Sequence, residues 1–138
     1  METPTTHEAD VAIIGAGPSG LFAVFECGML GLSCAVVDVL PDVGGQCTAL
    51  YPEKPIYDIP GFPSIQAEAL ISRLESQIQP FRPQMFMGQA VVSLSKESNK
   101  WLLKTESNQF IKASALIIAA GSGAFGPNRP PIDNIQSY

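Results

Sequence analysis

The segment Gly15-Ala16-Gly17-Pro18-Ser19-Gly20 stands between two stretches of different character. Before it, Val11-Ala12-Ile13-Ile14 is a short apolar run ending in glycine, the pattern of a strand buried on both faces. After it, Pro18 suits the first position of a helix, where a missing N–H costs little. Leu21, Ala23, Val24, Phe25, Met29 and Leu30 then carry a mostly apolar helix from Ser19 to about Leu30, and Gly31 supplies a stop. Ser33 to Val37 is a second apolar run, closed by Asp38. Strand, glycine turn, helix and strand in about thirty residues is the length of one βαβ crossover.

A GxGxxG string alone is weak, because glycine and alanine are common. Its place between strand and helix, with an acidic residue about 20 positions further on, makes it a dinucleotide fingerprint. Gly15 permits the tight turn, Gly17 lets the backbone approach a pyrophosphate, and Gly20 lets the helix pack close to the strand. The free N–H groups and positive end of the helix, around Pro18 and Ser19, then face the phosphates. Asp38 can accept hydrogen bonds from a ribose diol, and its charge disfavours the 2′-phosphate of NADP at this site. The plainer alternative for Asp38 is a solvated carboxylate at a strand end. Gly121-Ser122-Gly123-Ala124-Phe125-Gly126 is also GxGxxG and also follows an apolar run. Pro127, Pro130 and Pro131 follow it, so no helix start is expected there to hold a phosphate.

Bulk properties narrow the classes. The 138 residues suffice for one domain with a core. A net charge of −5 gives no reason to expect nucleic acid as a partner. No apolar run approaches the roughly 20 residues needed to span a bilayer. The first residues are polar, without an apolar signal core, so a cytoplasmic location is expected. Cys27, Cys34 and Cys47 form no CxxC pair and are expected to be free thiols. His7 is the only histidine and falls in the expected tail, which argues against zinc sites and His-based triads.

Pro41 to Pro63 holds five prolines and three glycines and cannot be one helix or strand. Long loops inside compact domains are usually functional. From Gln66 to Gln79, Leu70, Leu74 and Ile78, widened by Ala67 and Ile71, predict an amphipathic helix with Ser64 as N-cap and Pro80 as its stop. Strand-like runs follow at Met85 to Met87, Ala90 to Ser95, Trp101 to Thr105 and Gln109 to Ala113, the last three separated by polar turns. That is an antiparallel meander. Ala115 to Ala119 predicts a buried central strand.

Three blocks carry a family resemblance: Gly44-Gly45-Gln46, then Ala49-Leu50-Tyr51-Pro52-Glu53-Lys54, then Ile56-Tyr57-Asp58-Ile59-Pro60-Gly61-Phe62-Pro63. Together they resemble the thioredoxin-reductase-like ferredoxin–NADP(+) reductases, and Ala119 to Phe125 resembles the strand-plus-glycine turn that closes against FAD in that family. The resemblance runs over most of Asp10 to Pro131. It implies an α/β fold: a Rossmann-like FAD-binding domain with a parallel central sheet and a three-stranded antiparallel meander, incomplete. It implies FAD as cofactor and NADPH as co-substrate. Its cofactor contacts fall on Gly15, Gly17, Pro18, Ser19, Gly20, Asp38, Gly45, Gln46, Tyr51, Val91 and Phe125. Asp38 would bind the adenosine ribose, where the family often has Glu. Gln46 would approach the flavin end, Tyr51 would stack on the isoalloxazine ring, and Val91 would contact the adenine side. Phe125 would line the cofactor where the last strand ends. The plainer alternative for Val91 and Phe125 is a core position, and for Tyr51 and Gln46 an ordinary loop role.

The flavin carries the chemistry, so no residue here is expected to be catalytic and no metal is expected. The expected activity is hydride transfer from NADPH to flavin, followed by electron transfer to ferredoxin. A thioredoxin reductase or another NAD(P)H–flavin disulfide reductase is the alternative enzyme. A non-enzymatic nucleotide-binding or interaction module is the alternative from another class. No second cysteine lies close to Cys47, so an intramolecular redox disulfide there is not expected. The expected organisation is a flexible tail over 1–9, the first segment of an FAD-binding domain over 10–126, and over 127–138 the start of a crossover toward an NAD(P)H-binding domain. On that reading the chain is an N-terminal portion that by itself binds FAD weakly or not at all, and the full-length protein is a homodimer.

Overall fold

The computed structural model describes residues 5–123. The chain runs through β1 (Thr6–Ile14), α1 (Pro18–Met29), β2 (Cys34–Val37), the short α2 (Gln46–Ala49), β3 (Pro55–Ile56), β4 (Ile65–Gln66) and α3 (Ala67–Ile78). A 3-10 turn over Gln79–Phe81 leads to β5 (Gln84–Phe86), β6 (Val91–Glu97), β7 (Lys100–Thr105) and β8 (Phe110–Ile118).

Six strands form one sheet in the order β5-β2-β1-β8-β7-β6, and β3 pairs with β4 in a separate two-stranded ribbon. β5, β2, β1 and β8 run parallel. β8, β7 and β6 form the expected antiparallel meander. The two systems share β8. Its first half pairs with β1 on one side and β7 on the other, with Ile111 level with both His7 and Leu103. The sequence predicts two strands here, Gln109 to Ala113 and Ala115 to Ala119. They are one continuous strand because the residues between them, Ser114 included, keep the extended backbone. Its far end is not buried among the described residues, and Ile118 is 68% exposed.

Residues 6–9 are strand rather than tail. β1 pairs along its whole length with β8, from Thr6 opposite Phe110 to Ile14 opposite Ile118. Burial alternates along Thr6-His7-Glu8-Ala9, so this half of the strand has one solvated face. His7 packs its ring edge-on against Phe86, with centroids 4.8 Å apart. At the entry to the βα unit, the Ser33 amide and hydroxyl both donate to Asp10 Oδ2 at 2.7 Å. They hold the Asp10 carboxyl below its usual range.

Side chains alternate across the parallel strands. Val11, Ile13 and Val36 meet Leu21, Val24 and Cys27 of α1 and Leu70, Ile71, Leu74 and Ile78 of α3. Ala12, Ala35 and Val37 instead join Phe86, Leu103, Ile111 and Ala113. α3 matches the predicted apolar stripe, but Ser64 does not cap it. Its N-cap is Gln66, with no side-chain cap. The open amides are taken by the preceding loop: Ala67 N–H donates to the Lys54 carbonyl (3.0 Å) and Glu68 N–H to the Pro52 carbonyl (2.8 Å). The Tyr51–Lys54 turn is thereby bolted to α3.

Candidate dinucleotide site

The site forms at the carboxyl ends of β1, β2 and β8, where ligands bind in open parallel α/β sheets. Gly15 has φ +106°, a backbone that an L side chain rarely adopts, and a Cβ there would run into the Ala119 carbonyl. The turn is pinned between the strands: Gly15 N–H donates to the Val37 carbonyl (2.8 Å) and Ala119 N–H to the Ile14 carbonyl (2.7 Å). A Cβ at Gly20 would run into the Gly15 carbonyl oxygen, so Gly20 sets how closely α1 sits on the turn. Gly17 is different. Its φ of −72° is open to any residue, and among the described residues a Cβ there would meet nothing closer than Gly45 Cα at 4.0 Å. The fold does not demand glycine at Gly17, and the residue faces a cavity.

α1 begins at that cavity with Pro18 at its first position, no side-chain cap and no acidic residue in its first turn. Its leading amides and dipole therefore form an anion seat. Asp38, half-buried at the end of β2, closes one side. Its Oδ2 accepts from Ala16 N–H (2.6 Å) and its Oδ1 from Leu40 N–H (2.8 Å). The carboxylate thus clamps the glycine turn to the next loop. Each oxygen keeps lone-pair capacity for a further donor.

The proline-rich loop enters from the other side. Gly44 N–H donates to the Ala16 carbonyl (2.8 Å), which ties the loop to the glycine turn. Tyr51 O–H donates to Gln46 Oε1 (3.1 Å), and Gln46 Nε2 donates to the Ser122 hydroxyl (2.8 Å). A polar strap therefore joins α2, the Tyr51 turn and the turn after β8. Lys54 Nζ lies 4.8 Å from the Tyr51 ring centroid.

The cleft measures about 390 Å³, within the range of small-molecule sites. Of the candidate contacts, Gly15, Gly17, Pro18, Asp38, Gly45, Gln46, Tyr51 and Val91 line it. Ser19 and Gly20 do not; Gly20 is buried behind the turn and Ser19 is exposed at the helix start. Phe125 lies outside the described residues. Several wall residues carry no motif signal, among them Leu40, Gln89 and the apolar Ile14 and Val39. Ala120 to Gly123 also lines the cavity. The described part of the second glycine string forms a tight turn, with Gly123 N–H donating to the Ala120 carbonyl (2.9 Å).

All three cysteines are free and buried. Cys47 lies on the cavity wall, its thiol pushed up by burial while Lys54 pulls it partly back. Cys34 is pushed up to about 12 by burial and by the adjacent Cys27. Thiolate is the reactive form. Iodoacetamide should therefore label the native protein slowly at neutral pH and faster only above the usual thiol range. Rapid labelling of Cys47 near pH 7, read by peptide mass, would contradict this. Because the Cys34 value is raised, its protonated form favours the fold below about 9, and that contribution is lost as pH rises toward about 12. Among the described residues, no group of three or more His, Cys, Asp and Glu is placed to hold a metal ion. None of their helices is long and apolar enough to cross a membrane.

Comparison with known proteins gives a consistent result. Residues 9–137 match the family described as pyridine nucleotide-disulphide oxidoreductase. A ferredoxin–NADP reductase of Ehrlichia canis (strain Jake) is 53% identical over 97% of this chain and 40% of its own length. One from Gluconobacter oxydans (strain 621H) is 57% identical over 98% of this chain and 40% of its own. The chain thus spans about 40% of the length of these curated relatives. Among solved structures, a thioredoxin reductase of T. acidophilum superposes with a TM-score of 0.68 at 27% identity, over 81% of this chain and 35% of that one. A cyclohexanone monooxygenase from Rhodococcus sp. Phi1 reaches 0.75 at 22% identity, over 99% of this chain and 29% of that one, a likeness of fold alone.

Proposed function

The chain belongs to the pyridine nucleotide-disulphide oxidoreductase family, and we propose that it is the FAD-binding part of a ferredoxin–NADP reductase. The observation that carries this is Gly17. It is a glycine that the fold does not require, on the wall of a cavity, at the start of a helix whose leading amides are uncapped. A pyrophosphate passing over that backbone gives the missing side chain a reason. The names of the curated relatives, at 53% and 57% identity, support the choice of reductase.

The chain's residues bind and orient the cofactor. The start of α1 takes the pyrophosphate, Asp38 takes the adenosine ribose, and Val91 lies toward the adenine. Gln46 and Tyr51 meet the isoalloxazine end. FAD bound by these residues would supply the redox chemistry. No side chain of the cavity is needed as an acid or base. NADPH as donor, ferredoxin as acceptor, a homodimer and a cytoplasmic location belong to the same proposal. So does a crossover over 127–138 toward an NAD(P)H-binding domain.

The activity test uses the complete FAD-loaded protein with NADPH and oxidised ferredoxin, or in reverse with NADP(+) and reduced ferredoxin. Turnover with ferredoxin and none with thioredoxin supports the reading; the reverse favours a thioredoxin reductase, the alternative that the T. acidophilum likeness keeps in view. The site test is Tyr51→Leu. Aromatic stacking is worth about 0.5–1.5 kcal/mol, so FAD affinity should fall by that amount and bound flavin should fluoresce more strongly. Emission as low as in the parent protein would contradict stacking on Tyr51.

A further inference from the structure

Tyr51 forms a wall between two cavities. One is the dinucleotide cavity. The other, about 530 Å³, is also lined by Tyr51, and Lys54 lines this second cavity and not the first. The Lys54 ammonium sits 4.8 Å from the Tyr51 ring centroid. A cation over an aromatic face is attracted by the ring quadrupole.

The surrounding backbone keeps that pair in register. Lys54 N–H donates to the Tyr51 carbonyl (3.0 Å), and the Lys54 carbonyl accepts from Ala67 at the start of α3 (3.0 Å). The Tyr51 hydroxyl is held at its other end by Gln46 (3.1 Å). The ring is thereby restrained where it lines the dinucleotide cavity, with a positive charge over one of its faces.

We propose that Lys54 raises the reduction potential of the bound flavin from behind Tyr51, acting as a positioning and electrostatic residue that never touches the cofactor. This rests on the reading that the flavin stacks on the cavity side of Tyr51. Hydride transfer from NADPH carries two electrons and one proton, releases NADP(+), and leaves the flavin with one more negative charge than before. A cation fixed just beyond the tyrosine ring favours that charged product. It also polarises the ring that the flavin rests on. Lys54 is exposed, so the effect is partly screened by water and ions. Coulomb attraction in such a medium sets the expected change at about fivefold in the two-electron equilibrium constant, which corresponds to about 20 mV.

The test measures the flavin potential in the complete FAD-loaded protein, by equilibration against a reference dye. Lys54→Met keeps the length and apolar stem of the side chain and removes the charge. It should lower the equilibrium constant about fivefold at low salt, and Lys54→Arg should restore it. At about 1 M salt, where the screening length is about 3 Å, the parent and Lys54→Met proteins should converge. An unchanged potential in Lys54→Met at low salt would overturn the proposal. So would a shift that persists undiminished at high salt, because that would mark a packing effect. Tyr51→Leu separates the two layers of the account. If it brightens the flavin while Lys54→Met leaves the potential unmoved, only the role of Lys54 is lost. If it leaves the flavin dark, stacking on Tyr51 is wrong and the role of Lys54 goes with it.

Discussion

Gly17→Ala should leave the protein folded and remove most of its affinity for FAD, whereas Gly20→Ala should damage the fold itself. The two glycines sit three residues apart in one motif, but different neighbours explain them. Among the described residues, a methyl at Gly17 meets only Gly45 Cα at 4.0 Å, on a backbone with φ −72°. Apo stability should therefore stay within about 1 kcal/mol, the scale of exchanging residues at a helix N-cap. The same methyl stands where the pyrophosphate must pass. Forcing an extra methyl into a close-packed contact costs about 1–3 kcal/mol, so affinity should fall by about tenfold to a hundredfold. A methyl at Gly20 meets the Gly15 carbonyl, which is backbone and cannot swing aside. Its cost should be about 3 kcal/mol or more. Denaturant melts of the apo proteins and FAD titrations of the folded ones check both. A Gly17→Ala protein that unfolds, or binds FAD as well as its parent, would contradict the assignment.

Asp38 should prove to have two jobs that substitution can separate. Its carboxylate receives Ala16 N–H and Leu40 N–H within the chain. Ala16 is fully buried, so Asp38→Ala strands a buried donor. The cost should be about 1–3 kcal/mol in stability. The ribose contact, a hydrogen bond to a charged group, should cost about 1.5–3 kcal/mol in FAD affinity. Asp38→Asn keeps one carbonyl oxygen and can hold one of the two amides. It should recover part of the stability while remaining weak for FAD. If FAD affinity survives Asp38→Ala, the ribose assignment is wrong. If stability alone survives, the clamp contributes little.

The βαβ unit was legible because its signals are local. A strand ending in glycine, a proline at the helix start and an acidic residue at the next strand end all lie within one crossover. The ends of that unit were less legible. Thr6 to Ala9 carry too little apolar character to announce a strand, and only pairing with Phe110 to Ala113 places them in the sheet. β8 divides its partners between β1 and β7, so its two halves have different burial patterns and look like two strands. Ser64 is a good capping residue, yet the amides of α3 are filled by backbone carbonyls from Pro52 and Lys54. No local pattern announces a cap of that kind.

The candidate site followed the same division. Gly15, Gly17 and Asp38 are readable from motif chemistry. Gln46 and Tyr51 needed the family resemblance, and their link to Ser122 appears only when the chain brings the turn after β8 beside the loop. The same turn carries the second glycine string. Sequence logic gives no hint that it lines the first motif's cavity.

The most direct test of the central claim is a crystal structure of the complete protein with its cofactor. The account predicts one FAD per chain, with its pyrophosphate over Gly17 and the start of α1. The adenosine ribose should lie at Asp38 and the isoalloxazine ring on Tyr51. An empty cavity in a flavin-loaded protein, or a dinucleotide lying the other way round with its adenosine at Tyr51, would contradict it.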